Sequence, residues 1–246
     1  VSPLVTLLTD FGYRDSYVAE MKAVLVSLVP SVLLVDITHE VPPGDVLAGQ
    51  YLLGRTWARF PSGTVHLAVV DPGVGTRRRA IIAYSAGHYF VGPDNGLFTP
   101  VLGGATVVEL AVPETAAPTF HGRDVFAPAA SRLALGEPLE RLGTLVPDPV
   151  RLSLPEPVRQ GSRVLGAVIY VDRFGTLVTN IGGELAEGRS AVEIRNFRVP
   201  MRRTFADAEP GELVAFVGSG GTVEIAVRDG AAVTKLGVGV GEPVRC

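Results

Sequence analysis

Asp71 ends an apolar run, HLAVV, and opens the loop DPGVG, which is followed by Arg77, Arg78 and Arg79. A carboxylate at a strand end is held by the sheet, while Pro72 stiffens the turn after it and Gly73 and Gly75 let backbone pass close to a ligand. Such an Asp, joined to an arginine, can orient a small molecule or a water. It can also simply cap its own turn through the amides of Pro72–Gly75, with the arginines solvated. Similar edges occur at Asp10 (LVTLLTDFG), Asp36 (VLLVDITHE) and Asp172 (VIYVDRFG). Open α/β sheets bind ligands beyond the carboxyl ends of their strands, so four such carboxylates point to an enzyme or a small-molecule binder.

His121, in TFHGRDVF, precedes a predicted helix. A helix N-terminus disfavours imidazolium, so the ring is expected to be neutral and able to accept a proton, or else to donate structurally to backbone. Asp124 is expected to cap that helix. Asp10 and Asp15, in LTDFGYRDSY, suit the vicinal diol of a ribose or a ligand ammonium, because a carboxylate accepts several hydrogen bonds; Asp15 also fits a helix cap. His39 and Glu40 read as loop-orienting residues. In the second half, Asp172-Arg-Phe-Gly-Thr, Asn180 and Gly218-Ser219-Gly220 place Phe174 where it could face a flat ring, or where it is a core residue beside a barrel turn. No spacing matches a zinc motif such as HExxH, and the Asp71 loop lacks the lysine of a phosphate-binding P-loop, so neither a metal nor a nucleoside triphosphate is expected.

The elements that must hold these residues follow from periodicity. Leu4–Thr9, Val32–Val35 and Val65–Val70 read as strands, and Ala80–Tyr84 with His88–Val91 as a hairpin. Helical spacing of Val18, Met21, Leu25 and Leu28 follows a cap at Asp15 or Ser16 and stops at Pro30. Pro42 and Pro43 are expected to open a helix striped by Val46, Leu53, Trp57 and Phe60, and a further helix is expected over Arg123–Leu135. This alternation predicts an α/β N-terminal domain, residues 1–148, around a mostly parallel sheet. The proline-rich residues 149–162 read as a linker. Residues 163–246 break into short segments, Val164–Val171, Leu177–Thr179, Ala191–Ile194, Glu212–Val217, Val223–Val227 and Ala232–Leu236, and predict an all-β barrel-like domain.

Composition narrows the partners. The 246 residues are 47% hydrophobic and 19% charged, with a net charge of −3, which is ordinary globular material without a basic surface for nucleic acid. The single cysteine, Cys246, allows no intrachain disulfide and fits a reducing cytoplasm. No apolar stretch is long enough for a membrane helix, and no signal peptide is expected.

Seven stretches, LLTDFGYRDSYVAEMK, DITHEVPPGD, VVDPGVGTRRRA, FVGPDNGLF, TFHGRDVFAP, VDRFGTLVTNI and GSGGTVEIAVRDGAA, occur in order along the chain. Together they resemble the S-adenosyl-L-methionine hydroxide adenosyltransferase family, relatives of the bacterial fluorinase and chlorinase. The resemblance implies an N-terminal α/β domain, a C-terminal β-barrel and a homotrimer with active sites between neighbouring subunits. It implies cleavage of S-adenosyl-L-methionine, as substrate and without a cofactor, to adenosine and L-methionine by water or hydroxide attack at C5′. The family's Asp–Arg–His set falls on Asp71, Arg78 and His121. Ribose recognition falls on Asp10, recognition of the methionine amine on Asp15 and Asp172, and second-domain contacts on Phe174 and Ser219. Thr176 and Gly218 depart from the pattern, which often has Asn at both places. Halide attack of the chlorinase kind, and an adenosyl-ligand binder without catalysis, are the competing readings. A charged His–Arg–Asp set suits a hydrogen-bonded water better than a desolvated halide.

Overall fold

The computed structural model describes residues 2–246. They form two compact units, one ending at Ser153 and the other running from Leu154 to Cys246. The first holds β1 (Leu4–Thr9), α1 (Tyr17–Leu28), β2 (Leu33–Thr38), α2 (Val46–Thr56), β3 (Val65–Val69), β4 (Ala80–Ser85), β5 (His88–Pro93), β6 (Thr106–Leu110), α3 (Ala127–Ala134) and β7 (Gly143–Leu145).

Its seven strands lie in the order β2-β1-β3-β5-β4-β6-β7. The neighbours from β2 to β5 are parallel, and those from β5 to β7 are antiparallel. The sheet is therefore mixed, which corrects the mostly parallel expectation. The reason lies after β3, where the chain makes a hairpin instead of a helical crossover. Ala86 (φ 49°) and Gly87 (φ 82°) both take the left-handed conformation that matches a two-residue turn to the twist of its strands. β6 and β7, two short strands beyond those expected from the sequence, extend the antiparallel side.

Side-chain alternation sorts the two faces of this sheet. Val5, Leu7, Val65, Leu67 and Val69 share a buried cluster with Met21 and Leu25 of α1 and Ala130 and Leu133 of α3. Thr6 and His66, on intervening positions, hydrogen-bond each other at 2.8 Å, and His66 Nε2 meets His88 Nδ1 at 3.1 Å. The arrangement is satisfied when the Thr6 hydroxyl donates to His66 and His66 Nε2–H donates to His88. Trp57, Phe60 and Phe90 close around the two rings.

Helix starts differ in detail from expectation. Ser16 stands at the N-cap of α1, but its hydroxyl donates to Glu20 at 2.7 Å and makes no capping bond; Asp15 does not cap either. α2 begins at Val46, after Pro42 and Pro43, because Asp45 accepts from the Ala48 amide at 2.9 Å and is the cap.

The second unit holds β8 (Val158–Gln160), β9 (Arg163–Val171), β10 (Leu177–Gly182), β11 (Ala191–Ile194), β12 (Phe197–Pro200), β13 (Leu213–Val217), β14 (Thr222–Val227), α4 (Ala232–Leu236) and β15 (Pro243–Arg245). The order β12-β11-β15-β9-β10-β14-β13, with β8 on β9, is antiparallel throughout. A lone bridge between Met201 and Ala215 joins its two ends, so the sheet is a nearly closed barrel. Ala232–Leu236 is a short helix, not the expected strand; Gly237 ends it in the left-handed conformation (φ 62°). Within residues 149–162, the Val150 amide donates to Asp94, the Leu152 carbonyl accepts from Gln50, and β8 pairs with β9. No helix among the described residues is long and apolar enough to cross a membrane.

Burial holds the His66 imidazole at about 3, far below its ordinary 6.5, and His88 pushes it the same way. The unfolded chain therefore takes up a proton that the fold refuses between those values. This contribution to stability is complete above about pH 6.5 and is lost as pH falls through the window toward 3. Unfolding free energies measured from pH 7 to pH 4 should fall by up to about 1.4 kcal/mol per pH unit for this proton. His66→Gln should flatten the slope, and an unchanged slope in that variant would contradict the assignment.

Candidate functional site

The end of β3 delivers Asp71 into its loop, and the loop returns Arg78 to it. Arg78 Nε lies 3.0 and 2.9 Å from the two Asp71 oxygens, and Nη2 also donates to Oδ2. Both side chains are withdrawn from solvent, with 4% of Asp71 and 9% of Arg78 exposed. Asp71 thus spends its oxygens on a guanidinium fork and not on the amides of its turn. Two desolvated charges are tolerated only because each satisfies the other; removing one partner of such a pair costs about 3–5 kcal/mol.

Arg78 Nη2 also lies 2.9 Å from His121 Nδ1. Arginine has donors only, so Nδ1 accepts and the ring proton sits on Nε2. Burial lowers the His121 pKa, and the Arg78 charge lowers it further. Arg78 packs against the Phe126 ring, 5.3 Å from its centroid. Its remaining nitrogen, Nη1, is buried and has no hydrogen-bond partner. The structure therefore joins Asp71, Arg78 and His121 into one set with one arginine nitrogen, Nη1, left without an acceptor.

The helix that carries His121 starts irregularly. Gly122–Phe126 form a wide π turn ahead of α3, closed by the Ala127 amide on the Gly122 carbonyl. Pro128 has no N–H to give, so a regular ladder would lose a bond here in any case. Asp124 does not cap this helix. It accepts from the Ala117 amide at 2.8 Å and pairs with Arg123, fastening the segment that leads to His121.

Asp10 borders the set. Its Oδ2 accepts from the Gly44 amide at 2.8 Å, and Gly44 lies beside Pro72 of the Asp71 loop. Burial raises the Asp10 pKa, the Gly44 bond opposes this, and the Asp71 charge adds to the rise. The Asp10–Gly12 turn is held from below: His39 Nδ1 meets Thr9 Oγ1 at 2.7 Å, and the Gly12 amide donates to the His39 carbonyl. Asp36, expected at a strand end, lies inside β2, which runs on to Thr38; it binds Lys22 at 2.6 Å and Tyr13 at 3.0 Å and stands 3.1 Å from His39. It supports the turn. Asp15 is exposed in the turn ahead of α1 and makes none of the bonds that join the set.

The three arginines separate cleanly. Arg77 is exposed, and Arg79 is neither solvated nor in the set, because it binds Asp94 at 2.6 Å and Asp148 at 2.8 Å. Asn95 was not singled out in the sequence. Its Nδ2 donates to the Val70 carbonyl at 2.8 Å and so pins the residue before Asp71; the turn residues PDNG were the available signal.

In the second unit, Asp172 Oδ1 accepts from the Phe174 and Thr176 amides at 2.9 and 2.8 Å, which folds the β9–β10 turn. Phe174 is 76% exposed and so is not a core residue. Thr176 is buried, and Asn180 ties β9 to Pro155 through its side-chain amide. Ser219 is exposed in the β13–β14 turn. Gly218 is closely fitted, since a Cβ there would meet the Glu224 carboxylate at 2.0 Å.

Family models match both units: the SAM hydroxide adenosyltransferase N-terminal domain over residues 5–143 and the corresponding C-terminal domain over residues 166–245. The chain is 44% identical to a Thermus thermophilus protein named (R)-S-adenosyl-L-methionine hydrolase, over 98% of each chain. It is 42% identical to one of the same name from Salinispora arenicola, over 99% of this chain and 97% of the other. Identity to a fluorinase of Nocardia brasiliensis is 30%, over 97% of this chain and 96% of the other. Among solved structures, an uncharacterized conserved protein from Thermotoga maritima superposes with a TM-score of 0.91 at 37% identity, covering 98% of each chain.

Gly75 sets the approach of the Asp71 loop to the His121 segment. Its φ is +76°, and a Cβ would meet the Pro118 carbonyl at 2.7 Å. Gly75→Ala should lower unfolding free energy by about 1–3 kcal/mol, from left-handed strain and the clash together. Denaturant titration checks this, and an unperturbed midpoint would show that the loop does not need the close approach.

Proposed function

The chain belongs to the S-adenosyl-L-methionine hydroxide adenosyltransferase family, and we propose that it hydrolyses S-adenosyl-L-methionine to adenosine and L-methionine, with water attacking C5′. The observation that carries this is the buried Asp71–Arg78–His121 set with its unmet Arg78 Nη1 donor. A water beside the set can accept from Nη1 or from His121 Nε2–H and donate to a free lone pair of Asp71. That fixes one lone pair of the water for the carbon.

The bond changes are simple. The new O–C5′ bond forms as C5′–S⁺ breaks, and the electron pair leaves on sulfur as a neutral thioether, so no acid need protonate the leaving group. The water must lose a proton. His121 Nδ1 is occupied by Arg78 and Nε2 carries hydrogen, which leaves Asp71 as the nearest acceptor and His121 as an orienting donor. Pairing Asp71 with Arg78 has a second effect. A bare carboxylate would hold the sulfonium charge in the ground state, where stabilisation slows reaction, whereas the pair is close to neutral.

The remaining roles extend the reading. Asp10 takes the ribose hydroxyls, Asp15 and Asp172 the methionine ammonium, and Phe174 and Ser219 contact the substrate. Asp172 spends Oδ1 on its turn and keeps Oδ2 for a ligand. The proposal keeps the homotrimer with intersubunit active sites, a cytoplasmic setting and no cofactor. The hydrolase relatives at 42–44% identity, against 30% for the fluorinase, support water over halide.

Incubation with S-adenosyl-L-methionine in ¹⁸O-water should place ¹⁸O at the 5′ position of adenosine. 5′-Halo-adenosine from a chloride buffer would overturn hydrolysis, and tight binding without methionine release would favour a non-catalytic binder. Asp71→Asn and His121→Ala should each lower kcat by about 10²-fold or more. Arg78→Lys, which keeps the buried charge, separates lost geometry from unfolding.

Protonating His121 would set it against Arg78 and break the Nη2–Nδ1 bond. Activity should be full at neutral pH and fall as pH drops through a value below the ordinary 6.5, because burial and Arg78 both lower that pKa. A kcat/KM profile checks this, and an acid limb centred above 6.5 would contradict the geometry.

A further inference from the structure

Four arginines, Arg163, Arg189, Arg198 and Arg245, line one surface pocket of the barrel-like unit, with a cavity volume of about 340 Å³. The sheet fixes three of them. Glu193 on β11 stands opposite Arg198 on β12 and opposite Arg245 on β15, so these three side chains leave one face. Arg245 in turn faces Leu165 on β9, two residues from Arg163, which places Arg163 diagonally on that same face. Arg189 joins from the turn before β11, with Nη2 held by the Ser162 carbonyl.

The arginines of this cluster lack carboxylate partners. Arg78, Arg79, Arg123, Arg132 and Arg195 all pair with carboxylates. Among the described residues, none of the four pocket arginines forms an ion pair; Arg198 reaches only the Ser190 hydroxyl, at 3.4 Å. Glu193 is the one acidic side chain lining the pocket, which Cys246 also borders. Four guanidiniums are thus gathered on a rigid frame in a protein whose net charge is −3. An anion seated among them would relieve their mutual repulsion. The volume lies within the range of small-molecule sites.

The donors indicate the class of anion. Each guanidinium presents a planar fork matched to two oxygens of a carboxylate or phosphate. Four guanidiniums on one face offer more donors than one planar carboxylate can accept, and they suit the tetrahedral, multiply charged oxygens of linked phosphates. We propose that this pocket binds a small phosphate anion of the diphosphate class, at a site separate from the Asp71–Arg78–His121 set.

Isothermal titration of the full chain with inorganic diphosphate, at constant ionic strength, tests this. One saturable site per chain is expected, weakened tenfold or more in the Arg198→Ala/Arg245→Ala double variant. That variant should keep its circular dichroism spectrum and its turnover of S-adenosyl-L-methionine, which separates loss of the site from loss of the fold. No saturable heat, or binding unchanged in the double variant, would overturn the site. Citrate binding as tightly as diphosphate would overturn the phosphate class.

Discussion

The fork between Arg78 and Asp71 is the interaction around which the first unit is arranged. Two charges this far from water would be costly alone, and together they are acceptable only in a fixed geometry. The end of β3 fixes the carboxylate. Asn95 pins the carbonyl before it, and Asp94 with Asp148 draws the neighbouring Arg79 away, so that a single guanidinium of the three turns inward. His121 then reads the state of the pair through one hydrogen bond, and its position depends on a π turn that Pro128 makes inexpensive.

The carboxylates of the strands and strand ends divide their labour by partner. Asp71 is matched by an arginine, Asp36 by Lys22 and Tyr13, and Asp172 by the amides of its own turn, while Asp10 receives only backbone amides, that of Gly44 at 2.8 Å foremost. Partners, more than residue type, decide how much accepting capacity each carboxylate keeps for a ligand. Phe174 shows the same logic for apolar surface, since a large ring left in water at a turn has no role in packing.

Much of the site could be read from residue order. Strand-end position and flanking glycines mark Asp71 and Asp10, and placement before a helix marks His121, because these are local properties. The preference for Arg78 over its neighbours came from family register, and only the packing explains it: Arg79 is diverted by Asp148, 69 residues away. Caps were misread at Asp15 and Asp124 because a short acidic side chain suits several local bonds, and tertiary partners choose among them. The mixed sheet escaped for a similar reason. Alternating strands and helices describe the chain up to β3, and the hairpin after it was legible, but the pairing of β4 with β6 and of β6 with β7, which makes that half of the sheet antiparallel, depends on partners distant in sequence. Ala232–Leu236 has apolar residues that serve strand or helix, and Gly237 decides the outcome.

That hairpin also governs the order in which contacts become affordable to an unfolded chain. β4 and β5 meet after closing a loop of a few residues, whereas Thr6 must find His66 across 60. The difference in closure entropy is on the order of 3 kcal/mol. The antiparallel half of the sheet can therefore gather from neighbours in sequence, and the parallel half, which carries Asp10 and Asp71 at its strand ends, has to wait for a template. The geometry of Asp10 and Asp71 sits on the slow-assembling side of the domain, where the hairpin's outer edge supplies β3 with a partner already in place.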